Sequence, residues 1–299
     1  MGDLFYKAMA KINLGLDVVR KREDGYHEVK MIMQNVYLFD SVLLSRNSES
    51  DIVVDTNLPF LPTDKNNLVY KAADLLREEF GIDKGLKISL RKHIPVAAGM
   101  AGGSADAAAV MVGVNRMFHL GLSQEELMKR AVKIGADVPY CIMRGTALSE
   151  GIGEILTPLP APPPCHVLIA KPGVSVSTKF VYSNLKLSET TIHPDIDGMI
   201  EAIKAQDIKG MCSRMGNVLE TVTIPAYPII GSIKETMMNC GALGSLMSGS
   251  GPTVFGLFEN ANKARECMNE IKKNQMAKQV FLTTFFIPKK VGKMGERVY

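Results

Sequence analysis

The sequence predicts an α+β protein of two domains, and three observations lead there. A proline-rich segment, Pro158 to Pro164 with five prolines in seven residues, divides the chain near its middle and reads as a linker. Beyond it, strand-like and helical segments are intermixed in no regular order, the pattern of an α+β domain. At 299 residues, with 46% hydrophobic and 22% charged residues, the chain exceeds the usual single-domain size and can fill a sizeable core. The expected division is 1–160 and 161–299.

Each element follows from a local pattern. Between residues 5 and 19, Ile12, Leu14, Leu16 and Val18 alternate with Lys11, Asn13, Gly15 and Asp17, a strand. A loop from Arg20 to Tyr26 leads to an apolar run through Met31 to Leu44, and Asp51 to Val54 reads as a further strand. Asn67 to Phe80 has helical spacing at Leu68, Ala72, Leu75 and Leu76 and is closed by Gly81. Lys87 to Leu90 returns to strand. Ser123-Gln-Glu-Glu126 fits a capping box that opens a helix running to Ile134 and ending at Gly135. Pro139 is expected to end the local structure that precedes it. After the prolines come a strand (His166 to Ala170), helices at Ile196–Ala205, Ile208–Leu219 and Ile229–Asn239, and a strand around a glycine turn from Leu246 to Phe258. A helix from Ala261 to Asn274 and a strand from Val280 to Ile287 complete the pattern.

Composition excludes several classes of function. A net charge of +4 and a pI near 8.7 are mild, and the basic residues are scattered apart from Arg20-Lys21-Arg22 and Lys289-Lys290, so no nucleic-acid partner is predicted. The five cysteines lie far apart with no zinc-site spacing, which suits a reducing cytoplasm. Lys7, Lys11 and Asp17 interrupt the N-terminal apolar pattern, so no signal peptide is expected. Gly241 to Phe258 carries no charge, but its glycines, serines and proline make it a poor membrane span. A cytoplasmic protein without a membrane partner is the expectation.

The most informative stretch is Pro95-Val-Ala-Ala-Gly99-Met-Ala-Gly102-Gly103-Ser104-Ala-Asp106-Ala-Ala-Ala109, between a strand and an alanine-rich helix. Glycines let backbone N–H groups lie against a ligand, and a helix start with its positive dipole end suits phosphate. Ser104 is placed to cap that helix or to donate to the anion. A glycine-rich turn that packs a helix tightly on a sheet accounts for the same residues. No GxxxxGK[ST] motif, protein-kinase catalytic loop or GxGxxG after a strand accompanies it.

Two further segments narrow the choice, Ala8-Met-Ala-Lys11-Ile-Asn13-Leu14 and Met247-Ser-Gly249-Ser250-Gly251-Pro-Thr253. In this order the three segments resemble the GHMP kinases, small-molecule kinases whose glycine loop surrounds ATP phosphates. The resemblance implies the two-domain GHMP kinase fold: a ribosomal protein S5 domain 2-like N-terminal domain, a ferredoxin-like C-terminal domain and an active site in the cleft between them. Asp24-Gly-Tyr26-His27-Glu28, Gly135-Ala-Asp137-Val-Pro139 and Glu150-Gly-Ile-Gly-Glu154 bring it closer to members that act on a cytidine diphosphate-linked alcohol.

The resemblance also implies residue roles. Asp137 is the catalytic carboxylate and Lys11 its neighbour; a charge pair about 4 Å apart is worth roughly 4 kcal/mol at an effective dielectric near 20. Tyr26 and His27 hold a cytosine, with Tyr182 or nearby Phe180 on its other face; Asn13 and Thr178 are polar contacts to the substrate. ATP, accompanied by Mg2+, falls to Pro95, Gly99, Gly102, Gly103 and Ser104, with Lys92 and Asn67 on the adenosine side. No metal ligands are assigned, and a monomer or weak homodimer is expected. The loop departs from other members at Ala97, Met100, Ala101 and Ala105. Alanine at 97 and 101 is tolerated where φ is negative, so the cradle is expected to survive, and Asp106 is expected to point away from phosphate. The rival readings are a homoserine- or mevalonate-type kinase of the same family and a non-catalytic nucleotide-binding sensor. Tyr26 and His27 weigh against the first rival, Lys11 with Asp137 against the second.

Overall fold

In the computed structural model, which describes residues 2–188 and 191–288, two long strands organise the first half. Strands β1 (Leu4–Lys21) and β2 (His27–Asn47) pair antiparallel from Leu4 opposite Leu44 to Lys21 opposite His27. The hairpin between them turns at Asp24-Gly25: Gly25 sits at φ +85° and the Asp24 carboxylate accepts the Tyr26 N–H. Strand β4 (Gly85–Arg91) joins β2 antiparallel and carries β3 (Ile52–Thr56) parallel on its other edge. On the opposite flank β5 (Thr146–Glu150) and β6 (Ile155–Leu159) extend the sheet. Pro158 therefore lies in β6, not in a free linker; β6 is the last strand of its sheet, where a residue without an N–H is tolerated.

Helices α1 (Leu68–Phe80) and α2 (Gly102–Met117) cover one face of this sheet, with α3 (Gln124–Ala131) and α4 (Val138–Met143) beside them. Helix α1 begins at an Asn67 side-chain cap and ends at left-handed Gly81, and α3 carries the reciprocal Ser123–Glu126 capping box. The small residues of α2 let it lie close to the strands: a Cβ at Gly113 would sit 1.9 Å from Leu44 Cδ1.

The second half builds a four-stranded antiparallel sheet in the order β10 (Gln279–Thr284), β7 (His166–Lys171), β9 (Val254–Phe258), β8 (Gly244–Met247). Helices α5 (Thr178–Asn184), α6 (Ile196–Lys204), α7 (Ile208–Cys212), α8 (Glu220–Ala226), α9 (Ile229–Asn239) and α10 (Ala261–Lys273) accompany it. The expected single helix over Ile208–Leu219 is broken. At the break Leu16 donates to the Gly216 carbonyl, Val218 donates back to Leu16, and the Asn217 amide donates to the carbonyls of Met247 and Gly249. Those bonds draw the segment against β1 and outweigh its helical spacing. The short elements α4, α5, β5 and β6 carried too little periodicity to be expected.

One core cluster joins the two halves: Ala10, Ile12 and Leu14 of β1 pack with Ile169, Ile196, Phe255 and Leu257. Because strand side chains alternate, Lys11 and Asn13 point to the other face. Among the described residues no helix is long and apolar enough to cross a membrane. The Lys289-Lys290 run and the rest of the C-terminal tail lie outside the described residues.

Candidate active site

Two cavities meet at the glycine loop. The larger, about 650 Å³, is lined by Lys11, Asn13, Tyr26, His27, Asp137, Thr178 and Tyr182 among others. The smaller, about 370 Å³, is lined by Asn67, Lys92, Pro95, Gly102 and Gly103 together with the apolar Leu61, Leu68, Leu90 and Val96. Gly99, Ala101 and Ser104 border both. The residues singled out from sequence thus divide between two spaces that share one wall.

The shared wall is the loop and the first turn of α2. A register shift in the β1–β2 ladder between Met9 and Lys11 frees the Lys11 N–H, which donates to the Met100 carbonyl at 3.1 Å. From the other domain the turn between β8 and β9 braces the loop: Ser248 Oγ donates to the Gly99 carbonyl at 2.9 Å. A Cβ at Gly99 would lie 2.2 Å from the Ser248 oxygen, so only glycine fits there. The first N–H groups of the 16-residue α2 point out of its start, as an anion cradle requires. Two expectations change here. Ala97 and Ala101 have φ of +51° and +54°, not negative values, so each holds an alanine in the left-handed region at about 1–2 kcal/mol. Ala101 is the cap position of α2 and makes no side-chain cap bond; Ser104 lies inside the helix, which leaves its hydroxyl for the cavities.

Beneath the loop lies a closed cluster of charge. Lys92 Nζ bonds Asp40 on β2 and reaches Asp106 Oδ2 on α2 at 2.6 Å, with all three side chains buried. The other Asp40 oxygen accepts the backbone N–H groups of His93 and Ile94, tying the start of the loop to β2. Asp106 points inward, as expected, but the lysine assigned to the adenosine side has its ammonium committed to carboxylates. Asn67 is similarly occupied, donating to the Pro62 carbonyl and accepting from Val69 N–H. Asp40 was missed; its signal was a carboxylate inside the apolar run from Met31 to Leu44.

In the larger cavity Lys11 is buried and donates to Asn13 Oδ1 at 2.8 Å, while Asp137 Oδ2 stands 4.0 Å from its ammonium. Asp137 occupies the cap position of α4 without capping it, and a third of its side chain is exposed, so the carboxylate faces the cavity. Pro139, expected to end local structure, instead belongs to the first turn of α4, where its missing N–H costs nothing. At the far end His27 and Tyr182 have ring centroids 5.1 Å apart, tilted by 43°. Tyr182 rather than Phe180 lines the cavity, and Tyr26 stands 62% exposed at its mouth. Burial, with the nearby Lys21 charge, lowers the His27 pKa and keeps the ring neutral at pH 7. Burial, with the Asp137 charge, pushes the Tyr182 phenol up to about 12. Thr178 and Ser250 hydroxyls meet at 2.9 Å, joining α5 to the β8–β9 turn. Among the described residues no group of three or more His, Cys, Asp or Glu could hold a metal ion by itself.

Family profiles match both halves: "GHMP kinases N terminal domain" over residues 67–145 and "GHMP kinases C terminal" over 199–277. The 4-diphosphocytidyl-2-C-methyl-D-erythritol kinase of Lachnospira eligens is 55% identical over 288 residues, covering 96% of this chain and 100% of that protein. That of Lachnoclostridium phytofermentans is 58% identical, covering 95% and 98%. Among solved structures, a 4-(cytidine 5'-diphospho)-2C-methyl-D-erythritol kinase superposes with a TM-score of 0.81 at 31% identity, over 94% of this chain and 99% of that one. A homoserine kinase from Cytophaga hutchinsonii reaches 0.79 at 21% identity, over 96% and 95%, a likeness of fold alone.

Proposed function

The chain belongs to the GHMP kinase family, in the branch of the 4-diphosphocytidyl-2-C-methyl-D-erythritol kinases, and we propose that it works as one. It transfers the γ-phosphoryl of ATP to the 2-hydroxyl of that cytidine diphosphate-linked alcohol, giving the 2-phosphate and ADP in the non-mevalonate route to isoprenoid precursors. One observation carries the reading: two cavities share the wall of Gly99, Ala101 and Ser104, so a triphosphate in one points its end at an alcohol in the other.

The smaller cavity takes ATP, its apolar sides against the base and the start of α2 against the phosphates. Magnesium bound with the triphosphate would supply positive charge to offset that of the phosphates, and no residue of the chain is assigned as its ligand. The larger cavity takes the alcohol, with the cytosine at Tyr26, His27 and Tyr182 and the reacting hydroxyl at Lys11 and Asp137. A neutral His27 offers one ring N–H and one acceptor, which a neutral base requires. Asp137 orients the hydroxyl and accepts its proton late in the reaction; Lys11, 4.0 Å from that carboxylate, steadies the charge on the moving phosphoryl group. Phosphoryl transfer is loose enough that such positioning and charge supply most of the rate.

The test is coupled ADP release from Mg-ATP with the cytidyl alcohol, homoserine and mevalonate as acceptors, and with Asp137→Asn beside the wild type. Turnover confined to the cytidyl alcohol and lost in the variant is the expected result. ATP binding without turnover on any acceptor would favour the sensor. The chain is read as acting on a small molecule, without nucleic acid or membrane, as a monomer or weak homodimer.

A further inference from the structure

We propose that Asp106 is a proton-carrying positioning residue beneath the nucleotide cradle: it holds a proton while nucleotide is bound and thereby couples nucleotide affinity to pH. The inference rests on the assignment of the smaller cavity to ATP. Three observations carry it. Asp106 Oδ1 is fully buried and has no hydrogen-bond partner, while Oδ2 is taken by Lys92 at 2.6 Å. The residue lies in the second turn of the helix whose start forms the cradle and borders the nucleotide cavity itself. A Cβ at Gly102 would lie 3.2 Å from Lys92 Nζ, so the ammonium sits directly under that helix start, against two carboxylates.

The charge count gives the consequence. With Asp40 ionised, Lys92 charged and Asp106 protonated, the buried cluster is neutral. Ionising Asp106 adds one uncompensated negative charge beneath the site where phosphates bind. Burial, with the Asp40 charge, opposes that ionisation and outweighs the attraction of Lys92, so the Asp106 carboxyl titrates well above the ordinary carboxylate range. The groups that face it are few. Lys92 follows β4, Asp40 comes from β2, and α1 presents apolar Leu68 to Gly103, about one turn nearer the start of α2. Helix α4 brings the buried Cys141 thiol, itself raised by burial and therefore neutral, and beyond that thiol lie Lys11, Asp137 and Arg144. Bound phosphate disfavours the ionised form still further, so nucleotide draws a proton onto Asp106, and by linkage that proton strengthens nucleotide binding.

The sign is fixed by this argument. Nucleotide affinity is full below the Asp106 titration and falls as pH rises through it, approaching about tenfold per pH unit for a one-proton linkage. Affinity for the acceptor alcohol, whose cavity does not include Asp106, does not follow that curve.

The experiment is titration calorimetry of the full chain with Mg-ADP between pH 6.5 and 9.5, in buffers of different ionisation heat. The wild type is expected to take up protons on binding, with Kd rising in alkali; Asp106→Asn, which keeps the shape without the titration, is expected to show a flat Kd there and no such uptake. Proton changes on ADP itself are common to both proteins and cancel in the difference. The same pH dependence and uptake in the variant, or none in the wild type, would overturn the proposal. Absence of any Mg-ADP binding to the wild type would overturn the nucleotide assignment with it. Should Asp106→Asn fail to fold, the wild type answers alone: infrared difference spectra at pH values where uptake is seen must gain a carboxylic-acid C=O band when Mg-ADP binds. Its absence would equally refute the idea.

Discussion

Two lysines, Lys11 and Lys92, are each held against carboxylate, yet the two regions around them differ in how completely the charge is satisfied. Lys92 is enclosed by Asp40 and Asp106 and anchors strand, loop and helix to one another. Lys11 has one close partner, Asn13, and a carboxylate 4.0 Å away that is a third exposed to the larger cavity. An ammonium enclosed by two carboxyl groups fixes geometry because any movement strands a buried charge. An incompletely satisfied pair leaves room for a hydroxyl to enter between its members. Family resemblance placed both lysines beside the ligands; only their surroundings distinguish an enclosed ammonium from one that borders open space.

The sharpest way to break this comparison is to remove charge from each region in turn. If Asp137 is the base proposed above, Asp137→Asn should lower kcat by roughly 10²–10⁴-fold with KM for either substrate changed only a few-fold, since a general base acts in the transition state. Steady-state kinetics decide it, and an unchanged kcat would put Asp137 among the structural residues. Lys92→Met should instead cost about 3–5 kcal/mol of stability, by stranding the buried Asp40 carboxylate and leaving the Asp106 carboxyl without its partner. Urea denaturation measures that loss; a stable, inactive Lys92→Met protein would move Lys92 to the chemistry. At the far end of the larger cavity, Tyr182→Ala should raise KM for the cytidyl alcohol by about fivefold to 150-fold, a stacking loss of about 1–3 kcal/mol. KM for ATP should stay within twofold; parallel changes in both would mean that the cavities are not independent. The smallest effect belongs to their shared wall. Ala101→Gly should raise Tm by about 1–3 °C, because relief of left-handed strain slightly exceeds the added chain entropy. A fall in Tm would show that the strain is absent.

Much of this arrangement is legible along the chain. Asn67 and Gly81 bound α1, Ser123 and Glu126 open α3, and Asp24-Gly25 turns the hairpin that carries Tyr26 and His27. These features depend on neighbours within a few residues, so local spacing is enough to find them. The break between α7 and α8 was not legible, because its cause is the pairing of Asn217 with Leu16, 201 positions away. Pro158 in the edge strand β6 and Pro139 in the first turn of α4 escaped for a related reason: what a proline does depends on whether its missing N–H would have had a partner.

The sequence by itself determined the α+β class, most elements, the glycine loop and, through motif resemblance, a set of candidate residues that all border the two cavities. Those properties reside in residue type and short-range order. The tertiary structure alone decided that Ala97 and Ala101 take left-handed conformations, that Asp137 leaves its helix uncapped, that Tyr182 and not Phe180 meets His27, and that Asp40 and Asp106 close around Lys92. Each of these depends on which distant groups arrive beside the residue, and hence on burial, partner geometry and local dielectric, which no stretch of sequence carries.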